Sequence, residues 1–396
     1  MAESGLFWTA LTSDEETEKK GTGKLLMELI KMLPGLFNMR RPSFVILFIT
    51  SKCNARCSFC FYADNIARHH AEDELTSDEY LSISKSAGQI PYLLISGGEP
   101  VLRDDLAEII GSFIENASSK YVTVPSNGLS PDRTYRLFDS LTSRYPQTHF
   151  RASFSLDYAD QRHDRIRGVE GCMDSLLIAA RRIAELREDR RNLSMDLVTV
   201  FIDQSSDDLR VLREFADRNI HPNNHELHIL RSDSPGGAPE SIDIDLFLDE
   251  LTIFRERPGT KENRDLSALF RGINNTFIIS MKRLCRGNWT GPCMAGRKFT
   301  VIDEYGKVRL CEIRDDVLGD LRENEYDLIR ILRSGRTLRK ISEMNKSKCT
   351  CTWECAMSTN IIYNPRFFPE LLYRSVHELF SQLLVETSRS PINLDW

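Results

Sequence analysis

From residue 43 onward, short runs of β-branched and aromatic residues alternate with longer segments whose apolar positions recur at helical spacing. The runs at 44–50, 92–96, 121–125, 149–157, 194–202 and 225–230 predict strands, and the stretches 104–115, 132–143, 172–189 and 207–219 predict helices between them. Six strand–helix units in this order predict an α/β fold with a parallel sheet, a partial (β/α)6 barrel spanning 43–235. In such a fold the chemistry belongs in the loops that leave the C-terminal ends of the strands. The alternation breaks at Arg231-Ser232-Asp233-Ser234-Pro235-Gly236-Gly237, and linker helices are expected over 236–280, one of them near 243–255. From 281 to 396 the pattern predicts a small Cys-rich α+β domain. It contains a hairpin over 297–312 turning at Glu304-Tyr305-Gly306-Lys307, and an amphipathic helix over 369–388 that docks on the protein's own core. Ahead of the barrel, 1–42 holds a helical lead-in whose apolar positions, Leu25, Leu26, Leu29, Ile30, Leu33, Leu36 and Phe37, suit a helix closing one end of the barrel; contact with a membrane surface is the competing reading.

With 396 residues and 41% apolar content the chain has enough material for two domains, or one large domain with an appendage. Lys plus Arg number 52 against 58 Asp plus Glu, a net charge of −6, so no basic field draws the chain to nucleic acid or anionic lipid. No window reaches the ~18 apolar residues of a membrane span, and the N-terminal residues lack the basic and apolar regions of a signal peptide. A cytoplasmic location is the expectation. In that reducing compartment cysteines serve metals or catalysis more often than disulfides.

Three of the ten cysteines stand together directly after the first strand, in Cys53-Asn54-Ala55-Arg56-Cys57-Ser58-Phe59-Cys60. A structural zinc takes four protein ligands, whereas three thiolates on an iron–sulfur cluster leave one iron open for a ligand. Half of a zinc site, completed by His69 or His70, is the alternative. The spacing, with Phe59 before the last Cys, resembles the signature of the radical S-adenosylmethionine (SAM) superfamily. So does Ser96-Gly97-Gly98-Glu99-Pro100 after the second strand, which is similar to that superfamily's motif for the methionine ammonium group. The resemblance extends to Ser155 and Arg167, placed to hold the methionine carboxylate. It implies a ribose-side contact at Ser126 and Asn127 and an adenine border at Leu230.

Downstream lie Cys285, Cys293, Cys311 and the group Cys349, Cys351 and Cys355. Cys293, a hairpin with Gly306 five residues before Cys311, and a later Cys group resemble the SPASM and twitch extensions of radical SAM enzymes, which bind auxiliary 4Fe–4S clusters. The full SPASM pattern has more cysteines at its end than the three present here. Five or six candidates fall short of the eight thiols two fully ligated clusters require, so one auxiliary cluster is expected. Cys293 and Cys311 would be completed by two of Cys349, Cys351 and Cys355, and spacing does not choose the pair. A four-Cys structural zinc is the alternative. Cys172, alone at a helix start, reads as packing, and it or a spare thiol of the late group is also a candidate hydrogen donor.

The resemblance implies that Cys53, Cys57 and Cys60 bind a 4Fe–4S cluster whose open iron is chelated by SAM. Reductive cleavage of SAM to a 5′-deoxyadenosyl radical and hydrogen-atom abstraction from a substrate C–H would follow. An oxidation or an epimerisation fits equally, and a flavodoxin or ferredoxin would supply electrons. Peptide-modifying members often carry an extra N-terminal domain for a leader peptide, and the residues ahead of the barrel are too few for one. A small molecule, in particular a carbohydrate-type biosynthetic substrate, is therefore the first expectation and a ribosomal peptide the second. A non-catalytic iron–sulfur or zinc scaffold is the reading from another class.

Overall fold

The computed structural model describes residues 41–231, 241–255 and 264–387. The lead-in helix expected within 1–42, the linker at 232–237 and part of the 236–280 linker lie outside the described residues.

Six parallel strands form the first part of one sheet: β1 (Phe44–Phe48), β2 (Tyr92–Ser96), β3 (Tyr121–Ser126), β4 (His149–Ser155), β5 (Leu193–Phe201) and β6 (Asn224–Ile229). Every residue of β1 is buried, because helices or neighbouring strands cover both faces of a parallel sheet. That is why the chain is apolar without alternation there. The helices between the strands are α1 (Ala63–Ala67), α2 (Ser77–Ser86), α3 (Leu106–Ala117), α4 (Pro131–Arg144), α5 (Arg162–Arg167), α6 (Cys172–Asp189) and α7 (Ser206–Asn219). Their starts have local causes. Thr76 and Glu79 close a capping box on α2, as Ser205 and Asp208 do on α7. Asp164 accepts from the amides of Gly171 and Met173 and so caps α6 from a distance. The strands and helices agree with the sequence pattern to within one or two residues at most ends.

The hairpin between the two late cysteine regions belongs to the same sheet. β7 (Phe299–Ile302) pairs parallel with β1, in the register Phe44 with Phe299 and Ile46 with Val301, and β8 (Lys307–Arg309) and β9 (Val317–Asp320) follow antiparallel. The strand order is β6-β5-β4-β3-β2-β1-β7-β8-β9, an open sheet with β6 and β9 at its edges. The parallel core and the Cys-rich region thus share backbone hydrogen bonds. Around them pack α8 (Ile244–Arg255), α9 (Arg264–Cys285), α10 (Leu328–Leu332), α11 (Gly335–Lys346), α12 (Glu354–Tyr363) and α13 (Phe368–Thr387). The terminal helix α13 lies against α9, as its amphipathic pattern suggests. Phe368, Leu372 and Val376 nevertheless remain exposed.

Buried charged side chains stand together on β4, β5 and β6. Arg151 on β4 pairs with Asp196 on β5 at 2.6 Å and lies 3.7 Å from Glu226 on β6, all three buried. Burial of such charges is tolerable only because they are paired with one another.

Candidate active site

The loop after β1 carries Cys53, Cys57 and Cys60, all partly buried. Burial raises the Cys53 thiol to about 11 and also raises Cys60; at Cys53 the charges of Glu99, Cys57 and Cys60 add to the shift. The three sulfurs therefore share one neighbourhood. As free thiols Cys53 and Cys60 would stay protonated, and a metal that takes up thiolate removes that penalty.

The Gly-Gly-Glu turn after β2 is fastened to this loop by two backbone bonds: Gly98 N–H donates to Thr50 O and Glu99 N–H to Lys52 O, each at 2.8 Å. A Cβ on Gly97 would stand 2.4 Å from Thr50 O, and one on Gly98 2.3 Å from Lys52 O. The glycines are needed because two backbones meet there. Their first role is thus to bring Glu99 beside the cysteine loop. Glu99 is 1% exposed; its Oε2 accepts from the Asn127 amide at 2.8 Å, while Oε1 has no hydrogen-bond partner. Burial pushes its carboxyl up to about 7. A buried carboxylate oxygen left orphaned marks a place where a cationic donor completes the structure, and a ligand ammonium is such a donor.

Arg167, at the end of α5, reaches the same place. Its Nε and Nη2 donate to Asp157 Oδ2 at 2.8 and 2.5 Å, its Nη1 lies 3.8 Å from Cys57 Sγ, and its guanidinium sits 5.2 Å from the Phe59 ring centroid. Asp157, two residues past Ser155, thus takes two of the three guanidinium nitrogens, a partner the residue spacing did not reveal. The α5 end is also locked to the cysteine loop, through Arg56 N–H to Arg167 O and Ser58 N–H to Ile166 O, both at 2.9 Å. Ser126 Oγ accepts from Gly128 N–H, and Asn127 Nδ2 donates to Asn54 Oδ1 at 2.8 Å, so the β3 loop is likewise tied to the cysteine segment. Leu230 follows β6, half-buried against the core. Cys172 is fully buried, with its Sγ 3.6 Å from His163 Nε2. His69 is held by Ser51 Oγ at 2.8 Å, and His70 is exposed.

Burial lifts Cys293 to about 11 and Cys311 to about 12, with neighbouring thiols adding to each: Cys349 at Cys293, and Cys293 and Cys349 at Cys311. Cys351 is raised by its hydrogen bond with Cys349, by burial, and by Cys293, Cys349 and Cys311. The same Cys351 bond, with Arg314 close by, lowers Cys349. Cys293, Cys311, Cys349 and Cys351 thus influence one another's charge. Cys355 acts on Arg231, while Cys285 adjoins Glu354 and Arg286. Among the described residues no three His, Cys, Asp or Glu side chains are gathered as they would be around a single ion.

Between the two cysteine regions opens a cavity of about 1040 Å³. One wall is the segment that follows the first cluster, from Cys60 through α1 to Asp73; the opposite wall is the hairpin and the residues just after Cys311. Its lining includes the carboxylates of Asp64, Asp73, Asp303, Glu312 and Asp315, and the cations Arg68, Arg231 and Arg309 with His70. Tyr62, also on the wall, donates a short hydrogen bond to Glu304 Oε2, a buried carboxyl that burial raises to about 7. Arg231, one residue past Leu230, donates through Nη1 to Glu312 Oε2 at 2.6 Å and lies 4.2 Å from the Phe61 ring centroid and 5.8 Å from that of Trp353. The sequence motifs pointed to none of Arg231, Glu312 or Tyr62. Only the adjacency of Tyr62 to Cys60 and of Glu312 to Cys311 was a usable signal.

Comparison with known proteins agrees with this geometry. Residues 47–216 match the family model of the radical SAM superfamily. Among curated proteins, a probable GTP 3′,8-cyclase of Methanococcus maripaludis is 41% identical over 86 residues, 21% of this chain and 28% of that protein. A GTP 3′,8-cyclase of Clostridium perfringens is 24% identical over 186 residues, 46% of this chain and 53% of that protein. The chain thus spans about half, or less, of the length of the curated relatives it matches. Among solved structures, Streptococcus suis SuiB bound to its precursor peptide SuiA superposes with a TM-score of 0.54 at 15% identity, over 80% of this chain and 71% of that one. The enzyme anSMEcpe with bound AdoMet does so at 0.52 and 14% identity, over 87% and 98%. These likenesses extend the shared fold well past residue 216, into the Cys-rich region. No helix among the described residues is long and apolar enough to cross a membrane. Residues 47–216 are thus a radical SAM domain.

Proposed function

We propose that the chain is a radical SAM enzyme that removes a hydrogen atom from a polar small-molecule substrate held in the cavity between its two cysteine sites, leading to oxidation or epimerisation. The observation that carries this reading is the position of that cavity. One wall begins at Cys60, the last thiol of the first set, and the other includes Glu312 and Ile313, which directly follow Cys311. A substrate there would lie beside Cys60 and beside the residues that follow Cys311.

In this reading Cys53, Cys57 and Cys60 hold the SAM-binding 4Fe–4S cluster, and Cys293, Cys311, Cys349 and Cys351 hold one auxiliary cluster. When bound, the first cluster and SAM supply a carbon-centred radical able to attack an unactivated C–H bond. The chain's own residues do the rest. Glu99 Oε1 receives the methionine ammonium, and Arg167, steadied by Asp157, offers its remaining nitrogen on the Cys57 side for the methionine carboxylate. Phe59 packs on that guanidinium. Ser155, at the end of β4, joins Arg167 on the methionine carboxylate, and Ser126, Asn127 and Leu230 line the nucleoside side, at the C-terminal ends of β3 and β6. Walls contributed by the post-Cys60 segment and the hairpin restrict water and stray hydrogen donors. The mutual influence of Cys293, Cys311, Cys349 and Cys351 favours these four as the ligands of the second cluster. A flavodoxin- or ferredoxin-like reductase delivers the first electron.

A ribosomal peptide is the second reading, favoured by the extent of fold shared with SuiB. The test is anaerobic reconstitution followed by dithionite reduction. The expected result is about eight irons per chain and 5′-deoxyadenosine formed from SAM. Four irons with zinc at the second site would refute the auxiliary cluster, and absence of cleavage with both clusters loaded would refute the enzyme reading.

A further inference from the structure

The cavity wall contains one recognition group whose chemistry is more specific than "polar". Arg231 and Glu312 form an ion pair through a single bond, Nη1 to Oε2. Among the described residues Arg231 Nε and Nη2 and Glu312 Oε1 have no other hydrogen-bond partner, so two donors and one acceptor stand side by side on the wall. The guanidinium is kept flat and in place by Phe61 and Trp353. Phe61 is itself 49% exposed at the cavity, an apolar ring that the fold leaves beside the polar pair.

Resting on the reading proposed above, we infer that Phe61, Arg231 and Glu312 select a neutral, polyhydroxylated ring, a sugar or cyclitol. Three alternatives fit less well. A polyanion such as a nucleoside triphosphate meets a lining with five carboxylates against three guanidinium groups. An isolated anionic group is attracted by Arg231 and repelled by Glu312, and an isolated cation meets the reverse. A hydroxyl both donates and accepts, and adjacent ring hydroxyls present both capacities at the spacing of one ion pair. The axial C–H faces of such a ring are apolar and pack on an aromatic face like that of Phe61. Recognition of this kind presents ring carbons, the C–H bonds to be attacked, to the space between Cys60 and Glu312.

The experiment uses the reconstituted full chain with SAM and titrates methyl β-D-glucopyranoside and myo-inositol by saturation-transfer NMR. ATP and an uncharged hexapeptide are the competitors. The expected result is saturation transfer to the ring C–H protons of at least one of the two polyols, undiminished by ATP. Phe61→Leu and Glu312→Gln each weaken it about 10-fold or more while SAM affinity stays within about twofold of wild type. Phe61→Leu keeps an exposed apolar side chain, so loss of signal there is not loss of fold. Polyol binding that neither variant changes, stronger binding of ATP or the hexapeptide, or no polyol binding in a protein that still forms 5′-deoxyadenosine overturns this inference alone. Absence of 5′-deoxyadenosine in the same sample overturns the enzyme reading beneath it.

Discussion

Glu99→Gln should stabilise the SAM-free protein and at the same time disable it. The carboxyl is 1% exposed, one of its oxygens is orphaned, and burial lifts it from 4.5 to about 7. Because the folded-state value lies above the unfolded one, its contribution to stability is fully present below about pH 4.5 and is lost as pH rises through about 7. At pH 8 the ionised group therefore costs about 3 kcal/mol relative to its unfolded reference, and at pH 5 about 1 kcal/mol or less. The substitution keeps an acceptor for the Asn127 amide but brings a buried NH2 of its own, leaving a net gain of roughly 1–2 kcal/mol at pH 8. Thermal melts at the two pH values should show a gain of a few degrees at pH 8 that shrinks or vanishes at pH 5. Calorimetric titration of SAM into the reconstituted protein should show affinity lower by roughly tenfold or more, since a charge-assisted bond to the ammonium is gone. Destabilisation at pH 8, or unchanged SAM affinity, would refute the assignment of Glu99 as the ammonium site.

Three further outcomes are expected. Replacing Cys351 with Ala should remove about four irons per chain, whereas Cys355→Ala should leave the total unchanged, as read by iron and sulfide analysis; equal loss from both would contradict the assignment of Cys351 rather than Cys355 as a ligand of the second cluster. Gly98→Ala forces a Cβ to 2.3 Å from Lys52 O, backbone against backbone, so the turn and the cysteine loop must part; SAM cleavage should fall at least about 10-fold even where the protein remains folded by circular dichroism, since a misplacement near 1 Å can cost ~100-fold. Tyr62→Phe leaves buried Glu304 without its hydroxyl donor and should destabilise the chain by about 1–3 kcal/mol in denaturant unfolding, with a loss under about 0.5 kcal/mol arguing that the short bond contributes little.

Much of the fold was legible in the chain because local rules dominate it. Strands β1 to β6 announce themselves as short β-rich runs, and α6 begins and ends where its pattern does, at Cys172 and Asp189. The first cysteine set and Gly97-Gly98-Glu99 are contiguous motifs whose chemistry is written in adjacent residues. The hairpin was visible as a turn at Gly306, but its place in the sheet was not. Pairing of β7 with β1 joins residues some 250 positions apart, and nothing in either strand's own sequence selects that partner.

The order of elements, the two cysteine arrays and the motifs at the strand ends are written in the chain, since each depends on spacing along it. Folding, by contrast, sets the engagement of Arg167 by Asp157 and the meeting of Arg231 with Glu312 on the cavity wall. These groups lie 10 to 81 positions apart or on separate loops, and their encounters follow from how the sheet and its covering helices pack. Local propensity carries no information about such meetings, because burial and electrostatic pairing act between residues that are neighbours only after folding.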